Sequence, residues 1–369
     1  MKWILCAAVG LGLASGGCGS GIGPKSISNE RPAFNEELIQ STNQQLLTNL
    51  VRLRYLDAPM FLELSSVVAQ YSFDRSVNAS GSASFSGGEW RRNGSGIGVG
   101  GSMDFKETPT VSYMPLQGEE FAKRMLSPIP LETIVLLSRS GWSSERLLNI
   151  CAERMNGLEN AVSASGPTPA ESPTYEEFQK TAAQFKRLGK LGVFVVVPDK
   201  DSSHKVAYRV DAAKAAQLNA SEDLSTVLKT LDLPANTRMI VLSTPFEQND
   251  GTTLVLSTRS MLGVLFFLSH SVQAPPEHVT SGLVERTKIR GTETLFDWAQ
   301  VTKSVMTVKW APKEPERAYV KVKYRDYWFY IDDADRNSKA TFGLLHYLIS
   351  LQSTAGSGRM PLLTLPAGG

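Results

Sequence analysis

The sequence predicts an α+β chain, in which a mixed helical and β N-terminal domain carries a long amphipathic β-hairpin and a second domain follows. Three observations predict it. Apolar residues recur at helical spacing in separate blocks, as in Leu38, Ile39, Leu46, Leu50 and Val51, and again in Phe342, Leu345 and Leu348. Between such blocks the period falls to two over Val67–Phe85 and Ile97–Phe105, either side of a polar Gly-rich stretch. In the C-terminal half, helical and extended patterns alternate irregularly, which makes that half α+β or α/β. The chain has 369 residues, room for about two domains of ~150 each, and 42% of them are apolar, enough for a core. A net charge of +2, spread along the chain, argues against nucleic acid as a partner and against a polybasic membrane patch.

Residues 1–17 are expected to be an export signal outside the fold. Lys2 precedes an apolar run, Trp3–Ala14, well short of the ~20 residues of a spanning helix, and small residues lead to Cys18. Ser15-Gly16-Gly17-Cys18 resembles the lipobox of bacterial lipoproteins, whose cysteine is acylated and becomes the first residue. It departs from that pattern at Ser15, where Leu is usual; Leu13 stands two places early. The resemblance implies lipidation of Cys18 and membrane lipid as a partner. An ordinary cleaved signal with a stray cysteine is the alternative. Cys6 would leave with the signal, so Cys151 is the one thiol of the folded part and has no internal partner; it reads as a small buried hydrophobe.

Residues 18–32, rich in Gly, Ser and Pro, read as a flexible tether. The first domain covers 33–162. Its first helix runs from Asn35, a capping residue followed by two Glu, to about Tyr55, and Ala58-Pro59 ends it. The hairpin occupies about 60–114. Helices follow near 118–126, 131–138 and 144–155. Residues 163–173, SASGPTPAESP, read as an interdomain linker. The second domain covers 174–353, with helices near 175–188, 221–231, 260–271 and 335–352, and strands at GVFVVVPD and near 239–243, 253–257, 305–309 and 319–331. Residues 354–369 form a tail.

Three stretches together resemble a family of uncharacterised bacterial lipoproteins: NLVRLRYLDAPMFLELSSVVAQYSF (49–73), SYMPLQGEEFAKRMLSPI (112–129) and YWFYIDDADRNSKATFGLLHYLISLQ (327–352). They span most of the mature chain. The resemblance implies export and an anchored location in the cell envelope, at the outer membrane; the family brings no activity and therefore no catalytic residues.

The chain offers little reaction chemistry. Gly96–Gly101 fits GxGxxG, but it lies inside an alternating strand, whereas a dinucleotide site needs the motif between a strand and a helix N-terminus. Gly23-Pro24-Lys25-Ser26 is not the end of a P-loop, because Pro separates Gly from Lys and no strand precedes it. The four His, at 204, 270, 278 and 346, show no metal spacing, and neither HExxH nor GxSxG occurs. Asp332, Asp333 and Asp335 could hold a divalent cation, but their place before the last helix suits capping. Tyr324, Tyr327, Trp328, Phe329 and Tyr330 could line a ligand; a strand buried on both faces is the simpler reading. No cofactor and no enzymatic activity are expected.

The hairpin is the strongest functional signal. One face carries Val67, Ala69, Tyr71, Phe73, Val77, Ala79, Ala83 and Phe85, then Ile97, Val99, Met103 and Phe105; the other is rich in Ser. Apolar residues out and small polar residues in is the pattern of an outer-membrane barrel strand, and Trp90, Arg91 and Arg92 fall at the tip. Arg75 breaks the apolar face and belongs at or below an interface, since a mid-bilayer Arg costs ~2–4 kcal/mol. Two strands cannot satisfy their outer edges in lipid, so a spanning hairpin requires copies of itself or an envelope protein partner, at least ~4 copies for the smallest barrels of 8 strands. The other readings are a soluble hairpin arm on a monomeric scaffold or binding lipoprotein, a disordered Gly/Ser insertion, and an envelope enzyme.

Overall fold

A computed structural model of the chain describes residues 24–68, 71–80, 98–107, 110–167, 169–198, 206–245, 253–352 and 363–366. In chain order it has α1 (Pro24–Arg54), β1 (Leu62–Val68), β2 (Tyr71–Ser80), β3 (Gly98–Glu107), β4 (Thr110–Pro115), α2 (Glu119–Leu126), α3 (Leu131–Arg139), α4 (Ser144–Cys151), β5 (Ala152–Met155), β6 (Leu158–Glu159) and a 3-10 turn at Val162–Ser165. There follow α5 (Glu176–Lys190), β7 (Phe194–Pro198), β8 (Val206–Val210), α6 (Ala212–Gln217), α7 (Ser221–Thr230), β9 (Met239–Ser243), β10 (Thr253–Thr258) and α8 (Met261–Ser269). The last elements are α9 (Pro276–Thr280), α10 (Ala299–Thr302), β11 (Lys309–Ala311), β12 (Ala318–Tyr324), β13 (Tyr327–Asp332), α11 (Arg336–Gln352) and β14 (Leu363–Pro366). The fold is α+β.

A mixed sheet in the order β6-β5-β10-β9-β8-β7 forms the frame, with β9 and β10 parallel and the other pairs antiparallel. Helix α5 is amphipathic and turns Phe178, Ala182, Phe185 and Leu188 inward. The Phe185 ring meets Phe194 of β7 at 4.5 Å and Tyr208 of β8 at 5.3 Å. Helix α8 is apolar almost all round and accordingly buried, as a helix without a polar face must be. It is capped by Ser260, whose Oγ accepts from the Gly263 N–H at 3.0 Å, and α1 packs on it. No helix among the described residues is long and apolar enough to cross a membrane.

The two expected domains share one core. Strand β5 comes from before residue 163 and β7–β10 from after 173, yet they form one sheet. The 163–173 stretch is packed in place. Ala164 is buried, the Pro169 carbonyl accepts from Thr287 Oγ1 at 2.7 Å, and the Ser172 N–H donates to the Lys288 carbonyl at 2.7 Å. Its Pro and Ser content reflects an irregular path whose backbone groups are satisfied by residues 287–288, not a free linker.

Arg259 is the strongest tie. It has no exposed surface. Its Nη1 donates to the carbonyls of Asn149 (3.2 Å), Ile150 (3.1 Å) and Ala152 (2.6 Å), Nη2 donates to Asn160, and Nε donates to Ser165 Oγ at 3.0 Å. The guanidinium also lies over the Phe267 ring, 4.1 Å from its centroid. Burial pushes its pKa down to about 10, so it stays charged at neutral pH.

Other expectations shift. Helix α1 begins at Pro24, inside the expected tether: Pro suits a first helical position, and Pro32 lies within the helix. The helix expected over 144–155 ends at Cys151 and turns into β5. The strand expected over 319–331 is the hairpin β12–β13, turned by Arg325 and Asp326 at φ +47° and +69°. The strand expected near 305–309 forms only at Lys309–Ala311, and Leu363–Pro366 of the tail is β14, paired with β4.

Arg259→Met keeps most of the volume and removes every donor. The Asn149 and Ala152 carbonyls retain the Asn160 amide, but those of Ile150 and Asn160 lose the guanidinium. An unpaired buried carbonyl costs ~1–3 kcal/mol, so the variant should lose roughly 3 kcal/mol or more in denaturant unfolding. A change under ~0.5 kcal/mol would show the tie to be dispensable.

Candidate functional site

The ribbon of the hairpin region is described as two antiparallel pairs, β1 with β4 and β2 with β3. Pairs run from Ser66↔Ser112 through Val67↔Val111 and Phe73↔Phe105 to Ala79↔Val99 and Ser80↔Gly98, and the two residue numbers of every pair add to the same total. Odd positions therefore oppose odd positions, and the apolar series of the two strands fall on one face. Below Ser66 the register changes by one at Ser65, a β-bulge that aligns Leu62 and Leu64, even-numbered, with the face of Val67. The doublet Ser65-Ser66 is thus the site of the parity change in the sequence. Val67, Tyr71, Phe73, Val77, Ala79, Val99, Met103 and Phe105 have their register positions on this face. Cys18, Ala69, Ala83, Phe85 and Ile97 lie outside the described residues. Two charged residues share the odd face, Arg75 opposite Met103 and Glu107 opposite Tyr71, while Asp74 opposes Asp104 on the other. Gly98, Gly100 and Gly101 sit in β3, a strand and not a helix N-terminus.

The root of the ribbon is held by two amides on α1, one helical turn apart. The Gln45 Nε2 group donates to the Leu62 carbonyl at 2.9 Å, and its Oε1 accepts from the Leu62 N–H at 2.6 Å. Asn49 does the same for Met60, at 2.7 and 2.9 Å. Between them the Phe61 carbonyl accepts from the Leu116 N–H at 2.9 Å. The segment is thus bonded like a strand on both edges, with side-chain amides standing in for a neighbouring backbone. Buried Leu46, Leu47, Leu50 and Val51 fix this helix in the core.

The same helix ends at a cavity of about 380 Å³ bounded by Arg54, the His270–Ala274 turn after α8, residues 285–287 and the Leu295–Lys303 segment. His270 is 7% exposed and stacks on Trp298 with ring centroids 4.0 Å apart and planes 14° apart. Neither of its ring nitrogens has a partner among the described protein groups, nor has Arg54 Nε. The Trp298 Nε1–H donates to Thr287 Oγ1 at 3.0 Å, which fixes the indole. Arg54 Nη1 reaches only the Glu285 carbonyl, at 3.4 Å. Burial, and then Arg54, hold His270 down at about 3, so its imidazole is neutral at pH 7; burial likewise lowers Arg54. Arg54 and His270 are distant in sequence and match no motif, so sequence reasoning passed over the pair.

The other candidates resolve into structural roles. Asp335 caps α11: its Oδ1 accepts from the Asn337 and Ser338 N–H groups at 3.1 and 3.0 Å. Asp332 pairs with Lys309 at 3.0 Å and Asp333 with Lys339 at 2.6 Å. The hydrogen bond from Lys309 holds the Asp332 carboxyl below its usual range. Among the described residues no cluster of His, Cys, Asp and Glu could hold a metal ion. Phe329 is buried while Tyr327, Trp328 and Tyr330 are half-buried, so β13 is covered mainly on one face. Tyr55 and Asp57 dock on this hairpin. Tyr324 donates to Asp57, Arg325 pairs with it at 2.9 Å, and the Tyr55 hydroxyl lies 2.7 Å from His278 Nδ1. His346 Nε2 is bonded to Asn43 Oδ1 at 2.7 Å, and His204 lies outside the described residues. Cys151 is fully buried, and burial pushes its thiol up to about 12.

Asn49 is 1% exposed, so Asn49→Leu should strand both polar groups of Met60. The expected cost is ~2–4 kcal/mol, read by denaturant unfolding, with faster amide hydrogen exchange at Met60 and Leu62. Unchanged exchange there would mean that the clamp does not hold the root.

No known family model, curated protein or solved structure matches the chain, so its function is argued from the ribbon, the cavity and the sequence alone.

Proposed function

We propose that this protein is an exported lipoprotein, anchored through acylated Cys18, whose ribbon crosses the outer membrane as one subunit's share of an oligomeric β-barrel pore. The observation that carries this reading is the ribbon's register combined with its length. β2 and β3 are ten residues each, and in the sequence the alternation runs on past Ser80 to Phe85, so the nine positions Val77–Phe85 match the ~9–11 that a tilted transmembrane strand needs. Their single register collects the apolar positions of both strands on one face. Among the described residues β2 and β3 pair only with each other, so each keeps an open edge. In hydrocarbon such edges must pair with further strands, and identical copies supply them.

The charged positions set the depth. Arg75 lies two pairs beyond Phe73↔Phe105 and four beyond Tyr71↔Glu107. Aromatic residues and Arg are favoured at the membrane–water boundary, so Tyr71–Arg75 forms the girdle and the hydrocarbon stretch lies from Val77 outward. Asp74 and Asp104, directly opposite on the even face, then meet lumen water, which screens their repulsion. The second reading is a soluble arm that pairs copies in the periplasm; Glu107 and Arg75 on the odd face favour it.

In a Cys151→Ala background, Ala79→Cys should react with a lipid-soluble thiol reagent, and Ser80→Cys with a water-soluble one. Equal reaction of both positions with the water-soluble reagent would place the ribbon in solution. Cys18→Ser should remove the acyl mass from the mature protein; an unchanged mass would leave the anchor elsewhere.

A further inference from the structure

We propose that the cavity at the end of α1 binds a small organic oxyanion, a carboxylate or phosphate carried on a planar apolar body, with Arg54 as the anion's partner and the His270–Trp298 stack as the wall for the body. The site belongs to the globular body and does not depend on where the ribbon lies. A buried guanidinium normally recovers its lost hydration through a carboxylate or a full set of acceptors. Arg259 does so in this same protein. Arg54, half-buried with its Nε covered, does not. Among the described residues its one side-chain hydrogen bond is the 3.4 Å contact to the Glu285 carbonyl, and its Nε–H is sealed from solvent with no partner. The charge is kept there at a desolvation cost, which a bound anion would offset through charge-assisted hydrogen bonds.

The remaining groups narrow the ligand. His270, held neutral by burial, adds no second charge; both its ring nitrogens are covered, so it contributes the face of its ring to the wall. The lining sets Arg54, Arg286 and Lys303 against Glu285 and Asp297, which leaves a surplus of positive charge, and Glu285 favours the charged form of Arg54. Val272, Val279, Phe296 and the Trp298 face make much of the wall apolar. A bare inorganic anion would leave that wall uncovered, whereas a planar apolar body fits it. The volume of about 380 Å³ lies in the range of small-molecule sites.

The test is calorimetric titration of the full-length protein in mild detergent with sodium benzoate, sodium phosphate and benzylammonium chloride. Saturable heat with benzoate, weaker binding of phosphate and none of benzylammonium is expected. Arg54→Gln should weaken benzoate on the order of 10–100-fold, and Arg54→Lys by less. Should Arg54→Gln fail to fold, Ala274→Phe fills the cavity from its wall with Arg54 left in place, and should abolish the benzoate heat. The proposal is overturned if neither oxyanion binds saturably, if benzylammonium binds as well as benzoate, or if benzoate binding survives in the folded Arg54→Gln or Ala274→Phe variant.

Discussion

One buried cation organises the globular body. Arg259 precedes α8 by two residues, yet its guanidinium takes up carbonyls at the end of α4, the start of β5 and Asn160 beyond β6. Its backbone N–H also donates to the Cys151 carbonyl at 2.7 Å. The last carbonyls of a helix are orphaned and carry the negative end of its dipole, so a positive group there is favoured twice. Arg259 is in effect the C-cap of α4, supplied from more than a hundred residues away. It ends that helix, starts β5 beside β10 and lets one sheet draw on both halves of the chain. Fully buried charges persist only when satisfied on this scale.

Helix α1 then carries this order to the parts with functional meaning. Its apolar face lies in the core, its Gln45 and Asn49 grip the ribbon root, Tyr55 and Asp57 dock on β12–β13, and Arg54 enters the cavity. A ribbon that leaves its domain through a single loop would swing. Four amide hydrogen bonds on consecutive turns fix the exit direction instead, and a closed ring of identical subunits demands a fixed exit direction in each.

Much of the fold was legible because it is local. The amphipathic patterns of α2, α3, α5, α7 and α11, the apolar helix α8, strands β9 and β10, and the capping carboxylate before α11 need only their own residues. The alternation pointed to extended chain over β2 and β3, but the bulge at Ser65 was not read from it. What was illegible was decided from a distance. Nothing near Cys151 says that α4 stops, because Arg259 stops it. The turn at Arg325-Asp326 lacks Gly, Asn or Pro, and is held by pairing of Tyr324 and Arg325 with Asp57. Residues 163–173 have the composition of a linker, and only their bonds to Thr287 and Lys288 reveal a packed path. The cavity joins an Arg at the end of α1 and a His from the turn after α8, which no spacing rule connects.

Of the functional account, the sharing of a barrel among copies makes the most exposed demand. A two-stranded ribbon with open edges cannot remain alone in a bilayer, so a membrane-spanning ribbon requires the extracted protein to be an oligomer. The deciding measurement is the mass and shape of the full-length protein extracted in mild detergent, by light scattering and single-particle imaging. Barrel sharing predicts a ring of at least ~4 copies, each giving two strands to a common barrel. A uniform monomer carrying an acylated Cys18 would contradict it.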